Sequence, residues 1–200
     1  MKRSFVGLAA AALFLAGGSA FAAIENGGFE GGLKGWTRTC NVTTKSSTSK
    51  LGEKGDWQAT EGGSFAYLTS GLGKSVYTLL AQVFTAEADS ELSLDVFFDA
   101  NDRCKNDNGF VSLRSLDTGC STTLYRSSAS AVGGSGSDGW TRLVQSIAKA
   151  GTYVLTIGVR NVGDNCRPSA MGVDNVQLHS SVVPEMSGLA VWSLLGACGV

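Results

Sequence analysis

Charged residues are scarce in this sequence, and proline and histidine are scarcer still. Asp, Glu, Lys and Arg make up 16% of the 200 residues, against about 25% in ordinary soluble domains. The formal net charge of −1 argues against nucleic-acid binding and against attraction to anionic membranes. The two prolines, Pro168 and Pro184, both fall late in the chain, so neither interrupts an earlier strand.

The motifs of common enzyme classes are also missing. The one histidine, His179, would have to serve any Ser-His-Asp arrangement, and no Gly-x-Ser-x-Gly sequence accompanies it. The stretch GGSGSDG lacks the lysine of a phosphate-binding loop. No Cys-x-x-Cys pair occurs, which argues against a zinc or redox site. The sequence therefore favours a protein that is not an enzyme, with a secreted hydrolase as the weaker alternative.

Glycine is abundant instead, at 27 residues, and short strand-like runs recur between turn-forming clusters. In ELSLDVFFDA every second residue of 92–98 is apolar, whereas Ser93 and Asp95 face the other way. A loop is predicted over 127–139 from its Ser and Gly content. These patterns predict an all-β fold, an antiparallel sandwich. Strands are predicted within 35–44, 63–70, 75–86, 91–100, 109–116, 139–148, 151–161 and 171–178.

The N-terminus has the pattern of a secretory signal peptide. Two basic residues precede the apolar stretch 5–15, and small residues flank Phe21. We therefore expect a helical signal peptide over residues 1–22, cleaved between Ala22 and Ala23. The alternative is a retained membrane helix, but the apolar run is short for a hydrocarbon core of about 30 Å.

Four of the five cysteines lie outside the C-terminal apolar run. An even number of cysteines in an exported chain indicates two disulfides, with three connectivities open. We expect Cys104–Cys120, which would close one loop region. We also expect Cys40–Cys166, which would join the first and last parts of the domain.

The stretch ENGGFEGGLKGWT resembles the opening of jelly-roll domains of the galactose-binding and carbohydrate-binding-module type. Their last strand often contains an Asp-Asn-Val element, which GVDNVQL supplies here. The resemblance implies that residues 23–181 form one jelly-roll sandwich whose two ends pair. Several such modules hold a structural calcium ion near these ends, and the matching ligands would be Glu30 and Asp174. The alternative is that Glu30 caps a turn and Asp174 starts a strand.

Carbohydrate-binding modules also stack sugar rings on exposed aromatic side chains. Trp57, in the polar stretch GEKGDWQATEGG, is the first candidate for such a role, and Tyr125 is the second. Packing in the core is the alternative for either residue. Trp36 and Trp140 each follow a glycine and precede Thr-Arg, so we expect both to start strands and to fill the core.

The stretch FFDANDRCKNDNGFVSL, residues 97–113, is rich in Asp and Asn. Oxygen donors at this density suggest calcium, but Cys104 occupies the first ligand position of a helix-loop-helix calcium loop. A polar turn is therefore the favoured interpretation. The stretch also resembles a block in exported bacterial β-sandwich proteins with exchangeable C-terminal anchors, which implies the same location and fold.

The last 19 residues, VVPEMSGLAVWSLLGACGV, resemble the PEP-CTERM sorting signal of Gram-negative bacteria. Val183, Pro184 and Glu185 match its motif, whereas Met186 replaces the second proline. No basic cluster follows, which indicates a degenerate signal or a truncated sequence. Residues 187–200 as a helix would reach about 21 Å, short of a bilayer core. The resemblance implies that an exosortase in the inner membrane processes the tail, residues 182–200.

Together these features predict an exported protein of the cell surface or exopolysaccharide matrix. The leading function is non-catalytic carbohydrate binding, and the alternative is a structural or adhesive sandwich without a small ligand. The expected partners are the exosortase and extracellular polysaccharide, with transient membrane association through the tail. A nucleic-acid partner is not expected.

Overall fold

The computed structural model describes residues 24–39, 41–71, 73–164 and 166–180. Within these ranges no helix has the length and apolar character that crossing a membrane requires. The predicted signal peptide and sorting tail, with Ala22, Ala23, Val183, Pro184 and Glu185, lie outside the described residues. The described part of the chain forms strands β1 Thr37–Arg38, β2 Val42–Lys45, β3 Ser47–Ser49, β4 Asp56–Gln58, β5 Phe65–Thr69, β6 Tyr77–Ala86, β7 Ser90–Asp99, β8 Asn108–Ser115, β9 Ser121–Ser128, β10 Ser137–Ile147, β11 Gly151–Arg160 and β12 Ala170–His179.

Ten of these strands form two five-stranded sheets. The first sheet has the order β1-β6-β11-β8-β9, and the second has the order β10-β7-β12-β5-β2. Strands β3 and β4 form a separate two-stranded hairpin. Every pairing is antiparallel. The predicted all-β antiparallel sandwich of jelly-roll type is confirmed.

The main core lies between the two sheets and follows the predicted alternation. Leu92, Leu94, Val96 and Phe98 on one side of β7 are fully buried. They belong to one apolar cluster with side chains of the first sheet, among them Ile157 of β11. Alternation along a half-buried strand places its apolar residues on a single face, so the sequence pattern dictates which side of β7 faces the core.

The two ends of the domain pair, as the jelly-roll resemblance implied. The backbone N–H of Val176 in β12 donates to the Gly27 carbonyl at 3.0 Å. A Cβ on Gly27 would lie 1.9 Å from the Val176 carbonyl oxygen, so this close approach requires glycine. Trp36 fills the core as predicted, 5.2 Å from Phe29 between ring centroids. It directly precedes β1 rather than starting it.

Three strands, β3, β4 and β9, were not predicted, and the single run predicted over 35–44 forms two strands, β1 and β2, in different sheets. The hairpin β3–β4 comes from a polar stretch without an apolar period, and β9 comes from the sequence STTLYRSS, which is rich in Ser and Thr. The predicted loop over 127–139 is shorter in the structure, because β9 ends at Ser128 and β10 begins at Ser137. The hairpin covers part of the second sheet, where Trp57 of β4 stacks on Phe97 of β7.

Candidate functional site

The second sheet has an outer face, opposite the core. Alternation places Ser93, Asp95, Phe97 and Asp99 of β7 on this face. All four side chains are nevertheless buried. The outer face of a sandwich normally meets water, so burial here means that other parts of the chain cover it.

One half of the outer face is an aromatic patch, formed by Trp57, Phe65, Tyr67, Phe97 and Trp140. The hairpin strand β4 places Trp57 flat on Phe97, with ring centroids 3.8 Å apart and an angle of 4° between the rings. Trp140 of β10 meets Phe97 edge-on at 4.6 Å. These stacked and edge-to-face contacts add to the apolar area that the hairpin buries. Trp140 therefore packs on this outer patch, not in the main core as predicted.

A fully buried carboxylate holds the hairpin on this patch. One oxygen of Asp99, Oδ2, accepts the indole N–H of Trp57 at 2.8 Å and the backbone N–H of Leu51 at 2.9 Å. The other oxygen, Oδ1, is buried and has no hydrogen-bond partner. Burial raises the pKa of Asp99 above its usual range. Burial, followed by the nearby Asp99 charge, raises the pKa of Tyr67 to about 12.

The other half of the outer face is a polar row, formed by Ser93, Asp95, Arg142, Asn175 and Gln177. Asp95 accepts hydrogen bonds from Arg142 at 3.2 Å and from the Asn175 amide at 3.0 Å. Arg142 also donates to the Ser93 hydroxyl at 2.7 Å. Gln177 donates to the Asn175 amide oxygen. The row is thus a connected network that fixes each side chain in place.

Two β-bulges lie beside the polar row. The pairing of β12 with β7 shifts between Asp174 and Gln177, and that of β10 with β7 shifts between Asp138 and Thr141. Asn175 within the first bulge has a left-handed φ of 53°. A bulge re-aims the side chains of its strand, and here the bulges bring Asn175 and Trp140 to either side of β7.

The polar row is exposed at Arg142, whereas Ser93 and Asp95 are buried and the hydroxyl of Thr60, just after β4, donates to Asp95 Oδ2 at 2.8 Å. The Arg142 side chain is 39% exposed, and Val144, two residues along β10, is 58% exposed. A guanidinium has five N–H donors, and three bonds go to Asp95, Asn175 and Ser93. Fixed polar donors and acceptors beside an exposed apolar side chain suit a ligand with hydroxyl groups and an apolar face.

The two aromatic residues predicted to bind sugar lie apart and differ in exposure. Trp57 is 4% exposed, so the expectation that it is exposed was wrong: the polar hairpin folds its indole inward. Tyr125 lies on β9 at the edge of the first sheet and is half-buried. Its hydroxyl donates to Asp138 Oδ2 at 2.5 Å, and burial raises its pKa. The role of Tyr125 in binding stays a prediction.

Glu30 and Asp174, the predicted calcium ligands, both bond the backbone of the 59–64 connection. Glu30 Oε1 accepts the N–H groups of Gly63 and Ser64, each at 2.8 Å. Asp174 Oδ2 accepts the N–H of Thr60 at 2.7 Å, and burial raises the pKa of Asp174. Glu30 therefore caps a turn, as the alternative held, whereas Asp174 lies inside β12 and does not start it. Within the described ranges no three His, Cys, Asp or Glu side chains group to hold a metal ion. Calcium here stays a prediction, and a thermal midpoint that falls on chelation would support it.

The Asp-rich stretch after β7 also forms a polar turn. Asp102 Oδ1 accepts the backbone N–H of Cys104 at 2.7 Å. Asp107 accepts the N–H of Val162 and the hydroxyl of Ser169, each at 2.9 Å. Burial raises the pKa of Asp107. These carboxylates therefore bond the backbone and hydroxyl groups of two neighbouring loops.

The predicted Cys104–Cys120 disulfide is not formed. Cys104, Cys120 and Cys166 have free, exposed thiols. Cys104 precedes β8 and Cys120 follows it, so the eight-residue strand separates them by about 24 Å. For the predicted Cys40–Cys166 pair, Cys40 lies outside the described residues.

Comparison with known proteins gives a fold likeness only. No model of a protein family matches the chain, and no curated protein matches it. A family 61 carbohydrate-binding module, solved in complex with β-1,4-galactotriose, has a TM-score of 0.52 and 16% identity over 80% of this chain and 98% of that one. A family 16 carbohydrate-binding module has a TM-score of 0.46 and 14% identity, covering 78% of this chain and 98% of its own. A cleaved adhesin domain of Lys-gingipain from Porphyromonas gingivalis has a TM-score of 0.47 and 14% identity, covering 80% of this chain and 100% of its own.

Proposed function

We propose that this protein is a non-catalytic carbohydrate-binding module that acts outside the cell, and that it binds sugar along the polar row. The proposal rests on the hydrogen-bonded network of Asp95, Arg142 and Asn175, which is already ordered beside the exposed Val144. A pre-ordered site loses little side-chain entropy on binding. The shared fold with a module that was solved with a galactose trisaccharide supports the ligand class.

The binding test uses β-1,4-galactan first, then a panel of neutral and acidic polysaccharides. Arg142→Gln should weaken binding about tenfold, since hydrogen bonds to a charged group contribute about 1.5–3 kcal/mol. Arg142→Gln also leaves Asp95 without its ion-pair partner. Gln177→Ala is therefore the second variant, because it leaves that ion pair intact. Arg126→Gln, on the exposed part of β9, is the matched control.

Two outcomes would overturn the proposal. One is that no polysaccharide of the panel binds. The other is that Arg126→Gln weakens binding as much as Arg142→Gln does. The structural or adhesive alternative would then take its place, and it has one observation in its favour: the aromatic patch is closed by the hairpin, with Trp57 buried on Phe97.

We further propose that residues 1–22 direct export and that residues 182–200 direct exosortase processing at the inner membrane. The domain 23–181 would then reach the cell surface or the matrix. N-terminal sequencing of the exported protein should begin at Ala23. Replacing Pro184 and Glu185 with Ala should leave the unprocessed form in the membrane fraction, and normal processing of that variant would contradict the tail assignment.

A further inference from the structure

Two cysteines lie on loops that run side by side. The β7–β8 loop, 100–107, crosses from the second sheet to the first, and the β11–β12 loop, 161–169, crosses back. Both loops start and end on neighbouring strands, since β7 pairs with β12 and β8 pairs with β11. The two crossovers therefore start side by side and end side by side.

The strand register fixes where both loops begin and end, and each thiol lies near the middle of its loop. At one end of the loops Asp99 pairs with Ala170, and at the other Asn108 pairs with Arg160. Counted from the first pair, Cys104 is five residues along one loop and Cys166 is four residues along the other. A disulfide needs a Cα separation of about 4.4–6.8 Å, so the bond requires that the two loops approach each other at this point.

Side-chain contacts join the loops on both sides of the cysteines. Asp107 bonds both Val162 and Ser169 of the other loop. The Ser169 hydroxyl also accepts the backbone N–H of Asn101 at 3.3 Å. Next to Cys104, the Lys105 side chain packs on Gly163, where an added Cβ would lie 3.5 Å from Lys105 Cδ. Both backbones are thus held together while the two thiols stay exposed.

We propose that Cys104 and Cys166 form a disulfide that ties these two loops together under oxidising conditions. The two thiols lose two protons and two electrons, and a disulfide donor such as glutathione disulfide takes them up as two thiols. The Cys104 thiolate attacks the donor, and Cys166 then displaces the donor thiol from the mixed disulfide. The pair replaces the connectivity expected from the sequence.

Cys120 is placed less well for either thiol, because it lies beyond the far end of β8 from Cys104. Cys40 lies outside the described residues, so an experiment has to decide whether Cys166 pairs with Cys104 or with Cys40.

The test is a peptide map of the full chain, equilibrated with reduced and oxidised glutathione, alkylated and cut before aspartate. The cut places each cysteine on a different peptide, Cys104 on DRCKN and Cys166 on DNCRPSAMGV. We expect these two peptides to be joined, with an intact mass lower by two hydrogen atoms per disulfide. A Cys40–Cys166 or Cys40–Cys104 peptide, or free alkylated Cys104 and Cys166, would overturn the proposal.

A stability measurement tests the same bond independently. Reduction should lower the thermal midpoint of the wild type by about 5–10 °C, because the disulfide closes a long loop. The Cys104→Ser/Cys166→Ser variant should show no shift on reduction, whereas Cys120→Ser should keep the wild-type shift. A reduction shift that persists in the double variant would contradict the pairing.

Discussion

Strand β7 supplies both halves of the outer sheet face, Phe97 and Asp99 to the aromatic patch and Ser93 and Asp95 to the polar row. The two halves differ because the hairpin lies over the first, whereas the second, the open half, has Arg142 and Val144 exposed above the buried Ser93 and Asp95. In the covered half, stacking and a buried carboxylate stabilise the fold. In the open half, fixed polar groups stay within reach of solvent. One strand can thus serve stability and recognition when a second element covers only part of it.

The largest effect should come from the centre of the covered half. Phe97→Ala should lower the free energy of unfolding by about 3–5 kcal/mol, because it empties a fully buried site between two indoles. Urea unfolding measures this loss in the free energy of unfolding. Phe110→Ala, at a half-buried position of β8, is the matched control and should cost clearly less. Equal losses would mean that the hairpin does not seal the patch.

A second loss of stability should come from the strand that lies beneath the aromatic patch. Gly172 of β12 lies under Phe97, where an added Cβ would be 2.0 Å from the ring carbon Cε1. Gly172→Ala should therefore destabilise the fold by about 1–3 kcal/mol through overpacking. At Gly139 no heavy atom lies within 4 Å of an added Cβ, so Gly139→Ala is the control. Thermal melting measures the difference. If the two variants have the same thermal midpoint, the Phe97 ring does not pack on β12.

A smaller effect depends on pH and on Asp99. Burial raises its pKa, so the folded protein keeps this proton at pH values where the unfolded chain has lost it. Its contribution to stability is therefore complete below the unfolded pKa and is lost as pH rises through the folded value. Glu53 adds to the shift, whereas Lys50 opposes it.

Asp99→Asn has no such proton to lose. The free energy of unfolding of Asp99→Asn minus that of the wild type should therefore increase from about pH 4 to about pH 7. Urea unfolding at both pH values measures the difference, and Asp56→Asn on the exposed part of β4 gives the baseline. A difference that stays constant, or that moves the other way, would show that Asp99 is not desolvated by the hairpin.

The smallest effect on stability should come from the open half. Val144→Ala removes an exposed side chain and should change the free energy of unfolding by less than about 0.5 kcal/mol. If the polar row binds sugar, galactan affinity should nevertheless fall a few-fold. A stability loss like that of the covered half would mean that Val144 is packed, and the contrast between the halves would fail.

The sequence predicts the parts of this fold that depend on local alternation. The four inward residues of β7 follow a strict period of two, so their burial could be predicted. The covering of the outer face could not, because Trp57 is buried by contacts with Phe97 and Asp99, about 40 residues away in sequence. Nothing near Trp57 in the polar hairpin indicates that contact.

The candidate site was predictable only as a pattern. The sequence places Ser93 and Asp95 on the face opposite the core, which the structure confirms. Their partners Arg142 and Asn175 come from other strands, one beside a bulge and one within a bulge, and bulges have no reliable sequence signal. Cysteine pairing fails for a related reason: Cys104 and Cys120 are close in sequence, but a strand lies between them.

The position of β12 also determines how the domain would bear tension. β12 is the central strand of the second sheet, with β7 on one side and β5 on the other. It ends at His179, so any segment joined there pulls on a strand that β7 pairs along one edge up to His179 and that β5 pairs along the other edge over Ala170–Val173. An edge strand can be peeled away from a single neighbour, whereas freeing β12 would have to break its pairing with two neighbours. A tether at this end would thus load an inner strand of the sheet and not an edge strand.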